Sequence, residues 1–310
     1  MLRLISPRVK IILVISLVLS ACSDTAIKKT DAETDKLLIC CTTSIVKDAV
    51  GRIAGEHAQI VSLMGAGVDP HSYKASQGDL GKLRKADLVF YNGLHLEGKM
   101  HDILLKLAKS KEAFALSDSL NQDSIIYYNS DSPDPHYWFD PELWSQVQGL
   151  IAQVLIKNDP SNKEAYLENL QRYRKELKLI DQWALDEISS IDSSKKYLIT
   201  SHDAFQYFSK AYSLPVKALQ GVSTSAEFGL RDVADLVDFV CDNNIPALFT
   251  ETSIPTKFIE SVSDGCRRKG HKVIIGESLF SDALGEEGTY LGTYLGVFHH
   301  NVNQITQTLK

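Results

Sequence analysis

The chain has 310 residues, 44% of them hydrophobic, with 33 basic against 39 acidic side chains and a formal net charge of −6. That length fits one large domain or two lobes, and an acid-leaning balance argues against nucleic acid as a partner, because phosphate binding needs a concentrated basic face. Past the first residues no run is apolar enough to span a bilayer, and the mean hydropathy is an ordinary −0.11.

The chain opens "MLRLISPRVKIILVISLVLSACSD". Arg3, Arg8 and Lys10 precede a short apolar run, and small residues then lead to Cys22. This is the pattern of a secretory leader over residues 1–21, since about nine apolar residues fall well short of the roughly 20 that a spanning helix needs. "LSAC" resembles the bacterial lipobox, which gives Cys22 the role of lipidation site and mature N-terminus. Residues 22–36 are polar and lack aromatics, as a flexible tether would. The body is therefore expected outside the cytoplasm, attached to a membrane surface by lipid and not embedded in it. Without the leader's three cations the charge balance moves from −6 to −9.

Strand-like and helix-like segments then alternate. "KLLICCTTSI" reads as a strand, with Cys40 and Cys41 acting as small apolar residues, and "VKDAVGRIAGEH" as a helix. "AQIVSLMG" is a strand, and "SQGDLGKLRKA" a helix capped by Ser76 with Asp79 three residues on. "DLVFYNG" is a third strand, and "PELWSQVQGLIAQVLIKND" a helix opened by Pro141. Residues 161–191 contain no glycine or internal proline, and their apolar positions, such as Tyr166, Tyr173 and Leu177, recur at helical intervals. As one helix they would reach roughly 45 Å. A second β/α series follows, closing on a helix near residues 289–309. The expected fold is α/β: two β/α lobes with parallel sheets (37–159 and 194–310) joined by a long helix over 160–193.

Four short stretches fall after predicted strands or in loops: "VDPHSY", "PDPHYW", "TSHDAF" and "LFSDAL". Ligands of open α/β sheets gather where such loops converge. His71 and His136 come from the first lobe, His202 and Asp282 from the second, so an interlobe cleft would assemble all four. Three imidazoles and a carboxylate suit a borderline divalent ion such as zinc, iron or manganese. Pro70 and Pro135 stiffen the corners presenting the first two histidines. His202 is placed at the start of a helix "HDAFQYFSKAY", whose dipole would favour the neutral imidazole. Glu251, closing "ALFTE", is an expected acceptor for a ligand histidine. Cys241 and Cys266 have no CxxC spacing, and a bridge between them stays open.

At these residues the sequence resembles the metal-receptor family of ABC-transporter solute-binding proteins, of TroA/ZnuA type. "GVDPHSYKASQGDLGKLRKADLVFYNGLHLEGKM", "DPHYWFDP", "LITSHDAFQYFSKAYSLPVKALQGVSTSAE", "FTETSIP" and "GTYLGVFHHNVNQI" carry the resemblance. It implies one zinc, manganese or iron ion as cargo, ligands at His71, His136, His202 and Asp282, and delivery to an ABC permease driven by a cytoplasmic ATPase. Histidine at position 202, where many manganese receptors of the family have glutamate, resembles members using zinc or a broader set of metals. No histidine-rich loop lies between the first two ligands, unlike zinc specialists. A monomeric binding protein, not an enzyme, is expected. A metal-dependent surface adhesin and a metallohydrolase are the other readings, the latter weakened by the lack of HExxH or a nucleophile elbow.

Overall fold

In the computed structural model the described residues are 36–129, 131–192, 195–225 and 228–310. The leader, Cys22 and the tether as far as residue 35 lie outside the described residues. Among the described residues no helix is long and apolar enough to cross a membrane.

The first lobe is built on a parallel sheet. In chain order it holds β1 (Leu37–Cys41), α1 (Ser44–Ala54), β2 (Ala58–Ser62), α2 (Gln77–Lys85), β3 (Leu88–Tyr91), α3 (His101–Ala108) and β4 (Ala113–Ala115). The strand order is β2-β1-β3-β4. Cys40 and Cys41 are fully buried in β1, as their small apolar volume allows. Thr43 caps α1 by accepting the Val46 N–H, and Ser76 with Asp79 forms a reciprocal capping box on α2. Each such cap stabilises its helix by about 1 kcal/mol. A short antiparallel hairpin, β5 (Tyr127–Asn129) with β6 (Ser132–Pro133), precedes α4 (Pro141–Asn158). Asp140 caps α4 through the N–H groups of Glu142 and Leu143.

The long helix, α5, runs over Lys163–Ser189. It is shorter than the expected span because Pro160–Asn162 forms a separate tight turn before it. Twenty-seven residues still reach about 40 Å. Tyr166, Tyr173, Leu177, Ala184 and Ile188 are its buried stripe.

The second lobe continues with β7 (Leu198–His202), α6 (Gln206–Tyr212), β8 (Val216–Gln220), α7 (Leu230–Asp242), β9 (Ala247–Glu251), α8 (Lys257–Arg268), β10 (Ile274–Leu279) and α9 (Tyr294–Leu309). β7 pairs with β8 and β9 with β10, both in parallel, and β7 runs beside β9. Helix α5 packs on α1 and α4 of the first lobe and on α6 and α9 of the second. One apolar cluster is continuous across both lobes, from Ile39 and Phe90 through Trp144 and Tyr173 to Phe249 and Phe298. Aromatic pairs cross the boundary, with Phe139 on Phe205 at 4.3 Å and Trp144 stacked on Tyr294 at 5.5 Å. Such pairs add about 0.5–1.5 kcal/mol each beyond their buried area. Cys241 and Cys266, on α7 and α8, are free thiols. Burial, with the Cys241 thiol beside it, pushes the Cys266 thiol up to about 12.

Candidate metal centre

The four sequence-selected residues meet. His71 follows β2, His136 follows the small hairpin, His202 ends β7, and Asp282 lies just beyond β10. Their donor atoms all lie within 4.8 Å of one another, and all four residues are buried.

Both Asp-Pro-His corners share one backbone device. Asp69 Oδ1 accepts the His71 N–H at 2.9 Å, and Asp134 Oδ1 accepts the His136 N–H at 2.9 Å. An aspartate that bonds the amide two residues on closes an Asx turn, and the intervening proline fixes its own φ. The sequence assigns the aiming of His136 to Asp134 and Pro135 together; the matching role of Asp69 at His71 was missed. The recurrence of Asp two residues before His was the available signal.

Beyond that shared turn the supports differ. Asp134 Oδ1 also faces His136 Nδ1 at 2.7 Å. That contact fixes the ring so that Nε2 points into the centre. Asp69 holds no ring nitrogen. Its Oδ2 accepts from the Ser72 and Thr224 hydroxyls, each at 2.7 Å, and Ser225 Oγ donates to the His71 carbonyl at 3.1 Å. Thr224 and Ser225 belong to the second lobe, so the first corner is held partly from across the cleft.

His202 is held by Glu251, the last residue of β9. Glu251 Oε2 lies 2.6 Å from His202 Nδ1, while Oε1 accepts the N–H groups of Ser201 and His202 at 2.8 and 2.9 Å. The expected helix at His202 begins only at Gln206, so no helix dipole acts on this ring. The dipole was expected to favour neutral imidazole, and the carboxylates produce the opposite. Burial opposes the charge on His202, but Glu251 and Asp282 hold its pKa well above the usual histidine range.

Asp282 is flanked by tied backbone. Trp138 Nε1 donates to the Ser281 carbonyl at 3.1 Å, and the Leu284 N–H donates to Ser44 Oγ at 2.9 Å. One residue further back, Asn301 pairs with both the N–H and the carbonyl of Phe280. The carboxylate therefore arrives on a fixed loop, with its oxygens facing the three histidine rings.

The distances match an ion-sized gap. His71 Nε2 lies 3.3 Å from His136 Nε2. Asp282 lies 3.4 Å from His136 Nε2, 3.3 Å from His202 Nε2 and 3.9 Å from His71 Nε2. Ligands at about 2.0–2.1 Å around a tetrahedral ion stand about 3.3–3.4 Å apart. Both Asp282 oxygens and His202 Nε2 are buried without a hydrogen-bond partner. Leaving such groups unpaired costs about 1–3 kcal/mol each, and a cation at the centre of the four donors would satisfy all three from a single point.

Electrostatics separate the histidines. Burial disfavours charge on His136, but Asp134 and Asp282 outweigh it and raise its pKa to about 9. Burial dominates at His71, where Asp282 compensates only in part and the other imidazoles repel, so its pKa falls to about 3. Asp282 is held well below the carboxylate range; burial opposes this, but the facing His202 and His136 prevail. These directions favour protons on His136 and His202 beside the Asp282 carboxylate and a neutral His71.

Residues 39–308 match the family described as ZnuA, zinc-uptake complex component A, periplasmic. The chain is 44% identical over 289 residues to the manganese-binding lipoprotein MntA of Bacillus subtilis, covering 93% of this chain and 94% of that one. It is 40% identical over 280 residues to the zinc-binding protein TroA of Treponema pallidum, covering 90% and 91%. The iron ABC transporter substrate-binding lipoprotein MtsA of Streptococcus pyogenes is 33% identical, with 94% of each chain covered. The solved structure of periplasmic TroA superposes with a TM-score of 0.87, covering 88% of this chain and 99% of that chain. A match spanning nearly the whole two-lobe body shows that this chain belongs to the ZnuA family of metal-binding ABC-transporter receptors.

Proposed function

We propose that the chain is an extracytoplasmic receptor that captures one divalent transition metal ion and delivers it to an ABC-type importer. The carrying observation is the convergence of four buried donors on one point, three of whose atoms lack a hydrogen-bond partner. His71, His136 and His202 supply Nε2 lone pairs, and Asp282 supplies oxygen and offsets part of the cation's charge. Glu251 orients His202. Cys22 carries the lipid that tethers the body to a bacterial membrane through residues 22–36, with lobes at 37–159 and 194–310. The receptor acts as a monomer on a membrane permease, whose ATPase stands on the cytoplasmic side.

Binding is an exchange of protons for metal. His136 and His202 hold protons at neutral pH and must surrender them before their nitrogens can coordinate. The chemistry ends there: the cluster offers a closed set of donors, and transport needs capture and release, not turnover.

The donor set is borderline and accepts zinc, manganese or iron, the three metals named for the relatives above. Intrinsic affinity favours zinc over manganese at almost any such site, so cargo follows geometry and supply. Metal analysis of protein taken from its native envelope, with uptake of labelled zinc, manganese and iron in a deletion strain, tests the reading. One bound ion per chain and loss of one uptake activity are expected; metal-free protein with unchanged uptake would refute it. Chelation separates cargo from a structural metal: a receptor stays folded and rebinds, whereas a structural site unfolds.

A further inference from the structure

Between β3 and α3 the backbone passes through three successive left-handed residues, Gly93 (φ 87°), Leu94 (φ 50°) and His95 (φ 64°). Glycine adopts this region freely, but residues with a Cβ are strained there. A Cβ on residue 93 would stand 2.1 Å from Ser117 Oγ, so that position admits only glycine. Non-glycine residues persist in such conformations where their surroundings over-determine them, often beside functional sites.

Here the surroundings include a buried carboxylate that the metal centre does not use. Glu97 Oε1 accepts from Thr42 Oγ1 and from the Asn92 N–H, both at 2.7 Å, and Oε2 accepts the Gly93 N–H at 3.3 Å. The turn is thereby locked to the end of β1.

The locked turn touches both Asp-Pro-His corners. Asn92 Nδ2 donates to the Pro135 carbonyl at 3.0 Å, on the peptide leading into His136, and Tyr137 Oη donates back to the Asn92 carbonyl at 3.1 Å. At the other end, a methyl group on Gly98 would sit 3.2 Å from the His71 carbonyl oxygen. A single stiff segment thus lies against the backbone of both corners, whose imidazole Nε2 atoms are 3.3 Å apart.

We propose that residues 92–98 form a spacer that fixes the separation of His71 and His136, and with it the size of ion accepted. Glu97 is the positioning residue that keeps the spacer rigid. This rests on the metal-receptor reading above. Raw affinity does not discriminate among divalent metals in favour of manganese, so discrimination falls to ligand geometry. A spacer of fixed length supplies such geometry without contributing a ligand.

The test uses the purified chain with Zn(II), Mn(II) and Co(II) as separate probes. Gly98→Ala pushes on the first corner and Asn92→Ala releases the second. Each should change the ratio of Zn(II) to Mn(II) affinity by about tenfold or more, the scale of outer contacts on metal ligands, and shift the visible bands of the Co(II)-loaded protein. Glu97→Gln should do both more strongly. Should that variant fail to fold, the other two still decide the matter. Affinities that fall by one common factor, or remain unchanged with the Co(II) bands in place, would overturn the spacer. If the unaltered chain binds none of the three ions, the metal-receptor reading fails first.

Discussion

The corners at Asp69-Pro70-His71 and Asp134-Pro135-His136 use one tripeptide and the same Asx hydrogen bond, yet they give their histidines opposite proton affinities. The second corner's aspartate reaches Nδ1 of its own histidine, and the imidazole is raised to about 9. The first corner's aspartate turns outward to Ser72 and Thr224, and burial lowers its imidazole to about 3. A local motif therefore fixes where a histidine stands, while the tertiary contacts of one carboxylate fix what that histidine does with a proton. Pairing the two types sets one imidazole that resists protonation beside one that favours it.

Removing a ligand should erase the comparison altogether. His136→Ala deletes a donor and leaves Asp134 and Asp282 facing a void. Metal affinity should fall by more than the roughly 100-fold upper range of outer-contact changes, as read by competition titration with a chromophoric chelator.

Acidity acts next. His136 and His202 have raised pKa values, so both are protonated in the metal-free protein at neutral pH. Raising the pH removes competing protons, and apparent affinity should climb by up to about 100-fold per unit when two protons leave. The slope should ease above about pH 9, where His136 is already neutral. Calorimetry in buffers of different ionisation heats counts the protons released; a count of zero would contradict the charged metal-free cluster.

Asp134→Asn sharpens the contrast, because it preserves shape and an amide-accepting oxygen but removes the charge on the ring contact. Affinity should drop about 10–100-fold, and the pH profile should move to lower pH because His136 loses its main support. Asp69→Asn has no ring contact to lose. Its effect should stay below about tenfold and leave the pH profile in place, so equal effects from the two substitutions would break the distinction drawn here.

Much of this was legible in the sequence because it is local. The Ser76 and Asp79 capping box, Pro141 opening α4 and the alternation of strands with helices all depend on neighbours in the chain, and all are present. The meeting of His71, His136, His202 and Asp282 followed from their places at strand ends and in loops. What stayed hidden depends on side-chain direction or on distant partners. "SHDAFQYF" resembles a helix start, yet the Ser201 and His202 N–H groups are satisfied by Glu251, about 50 residues later in the chain, so the strand continues to His202. Trp138 supports Asp282 through Ser281, a bond across 143 positions that no periodicity announces. The three-residue β4 is too short to carry a pattern of its own.

The raised pKa values of the buried His136 and His202 rings, each held by its own carboxylate, bear on the energetics of capture. With the Asp134, Glu251 and Asp282 carboxylates, two imidazolium rings leave a net charge of one negative unit, and a divalent ion that displaces both protons would leave the same. An exchange of two protons for one divalent ion is electroneutral, so loading should add no net charge to the buried cluster. Falling pH should therefore favour release of a bound ion, which a chelator competition run at decreasing pH would read.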